Sequence, residues 1–168
     1  MQNPLETKIK EWAKKDTSIA QALEIATRAH QGQLDKAGVS YINHPIAVAV
    51  ALGADEPRDT KAVVVALLHD VFEDTAVTEQ DLASIFPSEI IDAIVALTRQ
   101  ADEDYESFIR RCATNPLARR VKIADLRHNA DPERLKKLSM ADQKRLREKY
   151  TPALNYLVTF VDKDELTK

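Results

Sequence analysis

Apolar residues recur at spacings of three and four along most of this chain, and only three glycines (Gly32, Gly38, Gly53) interrupt the pattern. That period belongs to amphipathic helices; half-buried strands need strict alternation instead. The sequence therefore predicts an all-α fold, and with so few glycines it offers no phosphate-cradling glycine loop. Helix starts are predicted after Pro4, near Ser18, at Pro45, at Asp59 or Thr60, at Thr78 with Asp81 as a capping-box variant, at Pro87-Ser88, at Pro116, and at Ser139 with Asp142. Expected core stripes include Leu5, Ile9 and Trp12 in the first helix, and Ile19, Ala22, Leu23, Ala26 and Ala29 in the second. The last helix carries Leu146, Tyr150, Leu154, Leu157 and Val161, with a kink expected at Pro152. Asp131-Pro132 is expected to end the helix that Pro116 opens.

No repeat or linker divides the 168 residues, so they are read as one domain, 1–168, of a size that buries roughly two-thirds of its unfolded surface. The single Cys112 excludes an internal disulfide framework. No stretch approaches a membrane span or a signal-peptide core, and the expectation is a soluble, cytoplasmic protein with no membrane partner. A formal charge of −3 without a long basic block argues against a dedicated nucleic-acid binder.

One helix poses a chemical question. The apolar run 62–68 continues into His69, Asp70, Glu73 and Asp74, which fall within about two helical turns. On a continuous helix Asp70, Glu73 and Asp74 share a face and repel one another, and the helix dipole near a C-terminal end disfavours them further. A solvated face is the plain reading; a bound divalent cation is the sharper one. His69 and Asp70 lie about 100° apart around a helix, so they reach one ion only if it sits between them, and two ligands do not make a site. His44, at the end of a loop and just before Pro45, is a third candidate. Asp125, the lone acid of residues 121–129, is a fourth and is expected to point inward. Taken singly, each has a plainer reading, His44 as a helix cap and Asp125 as the partner of Lys122.

With His44, His69-Asp70 and Asp125 in that order, the chain resembles the HD superfamily of metal-dependent phosphohydrolases. The segments Ala-Thr-Arg-Ala-His-Gln-Gly-Gln (26–33), Tyr-Ile-Asn-His-Pro (41–45), Leu-Leu-His-Asp-Val-Phe-Glu-Asp-Thr (67–75) and Val-Lys-Ile-Ala-Asp-Leu-Arg-His-Asn (121–129) are similar to those of RelA/SpoT-type (p)ppGpp hydrolases. The size matches the stand-alone small alarmone hydrolases. The resemblance implies a single HD-type phosphohydrolase domain that binds Mn²⁺ through His44, His69, Asp70 and Asp125, with Glu73 and Asp74 polarising the attacking water. It also implies that Arg28 stacks on the guanine, a role a guanidinium can fill, while Lys122 and Asn129 lie near the nucleotide. Other divalent metals suit the same ligands. The implied reaction removes the 3′-pyrophosphate of (p)ppGpp, giving GDP or GTP. The alternatives are a hydrolase of another nucleotide, such as ppApp or NADPH, and a non-catalytic nucleotide-binding regulator. Lys36 reads equally well as a surface group and as charge at the mouth of a site. The chain departs from the family at Val39-Ser40 before Tyr41, at Leu126-Arg127, and at Ala130-Asp131-Pro132 after Asn129.

Overall fold

The computed structural model describes residues 3–53 and 59–165, without the side chains of 161–165, so Val161 lies outside the described side chains. The helices are α1 (Pro4–Lys15), α2 (Thr17–Ala29), α3 (Asn43–Gly53), α4 (Thr60–Leu68), α5 (Val71–Asp74), α6 (Glu79–Ala83), α7 (Ser88–Leu97), α8 (Tyr105–Thr114), α9 (Pro116–Asn129), α10 (Pro132–Leu135) and α11 (Met140–Glu165). Among the described residues there is no strand, only one antiparallel bridge between Leu34 and Ser40. The fold is all-α, as the periodicity predicts. No helix among the described residues is long and apolar enough to cross a membrane.

Two helices set the architecture because they are apolar on every side. Residues 46–50 of α3 and 62–68 of α4 are buried throughout, which fits helices enclosed by others rather than facing water. α3 and α4 pack on each other; α9 crosses both, α2 lies on α4, and α1 lies on α2 and α3. α8 and α11 cover α9 from its other side. His44 at the start of α3, His69 at the end of α4 and Asp125 in mid-α9 are therefore delivered into one buried region.

Local chemistry explains where the helices begin and end. Asp16 caps α2 through the N–H groups of Ser18 and Ile19, and Thr78 with Asp81 forms the full capping box of α6. Arg111 of α8 donates to the carbonyls of Val95, Ala96 and Thr98 at the end of α7, satisfying acceptors that a helix terminus leaves open.

Two expectations need correction, at Leu5 and at Leu68. Leu5 is exposed, and burial along α1 begins at Ile9. α9 ends at Asn129, just before Asp131-Pro132 as expected, and Asp131 then caps the short α10 through the N–H of Glu133. α11 continues through Pro152, which is exposed. Most consequentially, the helix carrying the apolar run stops at Leu68. Asp70 adopts φ −105° and ψ −1°, the sparsely populated bridge region between helix and strand, and α5 restarts with Asp74 N–H bonded to the Asp70 carbonyl at 3.0 Å.

Two outcomes follow from the packing. A Cβ at Gly53 would stand 2.4 Å from the Trp12 indole, so Gly53→Ala forces α1 or α3 to move. The helix gain of about 1 kcal/mol is smaller than overpacking costs of about 1–3 kcal/mol. The variant is expected to have a lower Tm; an unchanged or raised Tm would show that Trp12 yields freely. Cys112 is fully buried, its thiol donates to the Ala96 carbonyl at 3.1 Å, and burial pushes its pKa up to about 11. Its alkylation by iodoacetamide at pH 8 is expected to be slower than that of an exposed thiol by about 10²-fold, with rapid labelling only after denaturation.

Candidate metal centre

The break after Leu68 resolves the angular difficulty posed by His69 and Asp70. Because the backbone turns between them, both side chains reach one point: His69 Nε2 lies 3.0 Å from Asp70 Oδ2. The two groups are near but not aligned for a hydrogen bond, and His69 Nε2 is buried with no hydrogen-bond partner. His44 Nε2 stands 3.8 Å from the same Asp70 oxygen and 3.1 Å from Asp125 Oδ1, which is itself 3.8 Å from His69 Nε2. His44, His69 and Asp125 are buried, and one ligand atom from each lies within 4.8 Å of the others.

Supporting contacts fix each of these groups. His69 Nδ1 is 2.6 Å from the Ala66 carbonyl, an acceptor only, so Nδ1 carries a proton and Nε2 is the nitrogen that faces the centre. The Tyr41 hydroxyl donates to Asp70 Oδ2 at 2.6 Å. Lys122 Nζ donates to Asp125 Oδ2 and Asn129 Nδ2 to Asp125 Oδ1, each at 2.7 Å. His44 Nδ1 meets His128 Nδ1 at 2.8 Å. The imidazole nitrogens of His44 and His69, the latter orphaned in a buried setting, and an Asp125 oxygen form a donor set that fits a divalent first-row metal ion, with Asp70 Oδ2 beside them.

The electrostatics follow from the crowding of opposite charges. Burial opposes a charge on His69, but Asp70 and Asp125 outweigh it and push the imidazole up to about 9. Burial likewise opposes charge on Asp125; Lys122, then His44 and His69, hold its carboxyl well below the usual carboxylate range. Tyr41 is raised by burial and by Asp70, so its hydroxyl stays a donor. Asp74 is raised by burial, then by Asp70 and Glu73, so it stands close enough to the centre to feel its charge.

A cavity of about 460 Å³ opens over the centre, within the range of small-molecule sites. His44, Asp70 and Asp125 lie along it, with Lys122 and Asn129 beside them; Lys36, Arg134 and Lys137 add positive charge, and Leu138, Leu146 and Tyr150 supply an apolar wall. Glu73 and Asp74 are exposed on α5 and do not line it, and Glu73 Oε2 accepts the Arg99 N–H at 3.1 Å. Arg28 is exposed on the last turn of α2 and has no part in the cavity wall. The arginine that does line it is Arg134 of α10, 3.6 Å from Asp35. Tyr41 and His128 are further contributors that sequence reasoning left without a role. Tyr41 stood in a quoted motif, and His128 three residues after Asp125 shares its helical side.

An all-helical domain in which a histidine-aspartate pair, a second histidine and a distant aspartate meet defines the HD class of proteins. The HD domain family model matches residues 22–147, and the chain belongs to that family. Among similar proteins, the guanosine-3′,5′-bis(diphosphate) 3′-pyrophosphohydrolase of Haemophilus influenzae is 39% identical over 116 residues, 62% of this chain and 17% of that protein. The protein of that name from Borreliella burgdorferi is 44% identical over 85 residues, 51% of this chain and 13% of that one. The GTP pyrophosphokinase of Myxococcus xanthus is 34% identical over 125 residues, 66% of this chain and 16% of that one. The chain thus spans between 13% and 17% of the length of these relatives. A solved structure of a metazoan ortholog of SpoT, described as hydrolysing ppGpp, shares the fold with a TM-score of 0.67 at 21% identity, covering 89% of this chain and 96% of that one.

Proposed function

We propose that this chain acts as one HD-type domain that hydrolyses the 3′-pyrophosphate of (p)ppGpp, with Mn²⁺ held by His44, His69, Asp70 and Asp125. The observation that carries the reading is the gathering of these four side chains beneath a cavity that Lys36, Lys122, Arg134 and Lys137 make basic despite Asp35, and that Leu138, Leu146 and Tyr150 make partly apolar, as suits a phosphorylated nucleotide. Similarity to proteins named for this reaction supports the substrate. In the reaction the bond between the 3′ oxygen and its phosphorus breaks; water supplies a hydroxyl to the departing pyrophosphate and a proton to the 3′ oxygen. A bound divalent ion supplies Lewis acidity, activating water at neutral pH and neutralising phosphoryl charge.

The chain's own groups do the rest. Asp74, its carboxyl raised by burial and its acidic neighbours, takes the proton from water, with Glu73 beside it. Lys122 spends one donor on Asp125 and has others to offer phosphoryl oxygens in the cavity; Asn129 lies about two turns further along the same helix. Arg28, like Glu73 and Asp74, is exposed outside the cavity wall, so a base stacked on its guanidinium would extend beyond the cavity.

The apolar wall of Leu138, Leu146 and Tyr150 offers a base surface contact but few hydrogen bonds, so base discrimination is expected to be loose. Incubation with ppGpp, ppApp and NADPH in the presence of Mn²⁺ tests this. Pyrophosphate release from both alarmones is the expected result. Turnover of NADPH alone would transfer the assignment to another nucleotide, and binding without turnover of any of the three would make the chain a regulator.

A further inference from the structure

His44 is engaged through both ring nitrogens. Nε2 faces Asp125 Oδ1 at 3.1 Å, while Nδ1 faces His128 Nδ1 at 2.8 Å, the rings being tilted by 33° with centroids 4.9 Å apart. Two imidazole nitrogens that close share one proton, so one donates and the other accepts. A carboxylate only accepts; when His44 bonds to Asp125, its proton is on Nε2, and His128 must donate to the bare Nδ1. A divalent cation reverses the requirement. It needs the Nε2 lone pair, which moves the His44 proton to Nδ1 and makes His128 the acceptor.

We propose that His128 is a positioning residue for the metal centre, reversing the direction of its hydrogen bond to His44 so that His44 can exchange the tautomer bonded to Asp125 for the one that binds a cation. An imidazole can serve in both senses through one atom, because its own proton can move to the far nitrogen. His128 is only partly buried, which leaves that exchange open to solvent. The inference rests on the metal-binding half of the proposed function and is independent of the substrate.

The test compares wild type with His128→Phe, which fills the space but accepts nothing, and His128→Asn, which restores an acceptor. Mn²⁺ affinity is read from the electron paramagnetic resonance of free Mn²⁺, and the His44 tautomer from ¹⁵N NMR of the Zn²⁺-loaded protein. His128→Phe is expected to weaken Mn²⁺ binding by about 10- to 100-fold with the Tm of chelator-treated protein unchanged, and His128→Asn to recover most of the loss. In wild type loaded with Zn²⁺, His44 should carry its proton on Nδ1. Equal Mn²⁺ affinity in His128→Phe, failure of His128→Asn to recover, or a His44 Nδ1 without a proton would overturn the proposal. Should His128→Phe fail to fold, His128→Asn and the wild-type spectrum still decide it. No Mn²⁺ uptake by wild type would instead remove the metal reading itself, and this inference with it.

Discussion

Asp125→Asn is expected to lose its divalent metal and, with it, nearly all turnover. The carboxylate stands 3.1 Å from His44 Nε2 and 3.8 Å from His69 Nε2, so in the proposed centre it would supply both a ligand atom and the charge that offsets a cation's burial. Removing a direct ligand should cost more than the roughly 10- to 100-fold typical of an outer partner. A second cost appears in stability, because Lys122 loses the carboxylate charge it pairs with at 2.7 Å and, facing at best a neutral amide oxygen, is left as a largely buried cation without a counter-charge, a penalty of up to about 3–5 kcal/mol before relaxation. The two costs separate in the double variant Asp125→Asn with Lys122→Met, which should recover much of the Tm and none of the metal. Elemental analysis of Mn²⁺-loaded protein, with Tm alongside, is the measurement. Wild-type metal content in Asp125→Asn would leave the four-residue centre without support.

The elements that local pattern governs were legible. Helical spacing, the prolines at 4, 45 and 116, and the caps at Thr78 and Ser139 predict helices close to those observed. The four candidate ligands could be named because buried histidine and aspartate inside apolar helices demand a reason. What escaped depends on tertiary contact. Nothing in Leu68-His69-Asp70-Val71 signals a break, since neither glycine nor proline occurs there; the turn is held by what Asp70 meets, including the Tyr41 hydroxyl at 2.6 Å. The His44 to His128 contact joins residues 84 positions apart, beyond any periodicity. Arg28 was assigned through a motif, and a motif does not say which way a helix face turns; the structure leaves it in solvent. Lys122 carries both of the readings open to it: it pairs with Asp125, the plain one, and lines the cavity.

Replacing both Glu73 with Gln and Asp74 with Asn is expected to leave metal uptake and fold close to wild type while lowering turnover by about 10²-fold or more, the loss expected when proton transfer is removed. The structure divides that loss unequally. Glu73 Oε2 accepts the Arg99 N–H at 3.1 Å, tying α5 to the turn that follows α7, and a glutamine oxygen can accept the same bond. Glu73→Gln alone should therefore be mild, within about 10-fold. Asp74 differs because burial and the charges of Asp70 and Glu73 raise its pKa, and a carboxylate raised toward the working pH accepts a proton more readily. Asp74→Asn alone should then reproduce most of the double variant's effect. The same cause fixes the sign of a pH dependence. Asp74 must be ionised to act, so kcat/KM should fall as pH drops through its pKa, and that acid limb should be lost in Asp74→Asn. Glu73→Gln removes one of the charges that raise Asp74, so its acid limb should move to lower pH while persisting. Near-normal turnover in Asp74→Asn, with the acid limb unchanged, would assign the proton to a different acceptor.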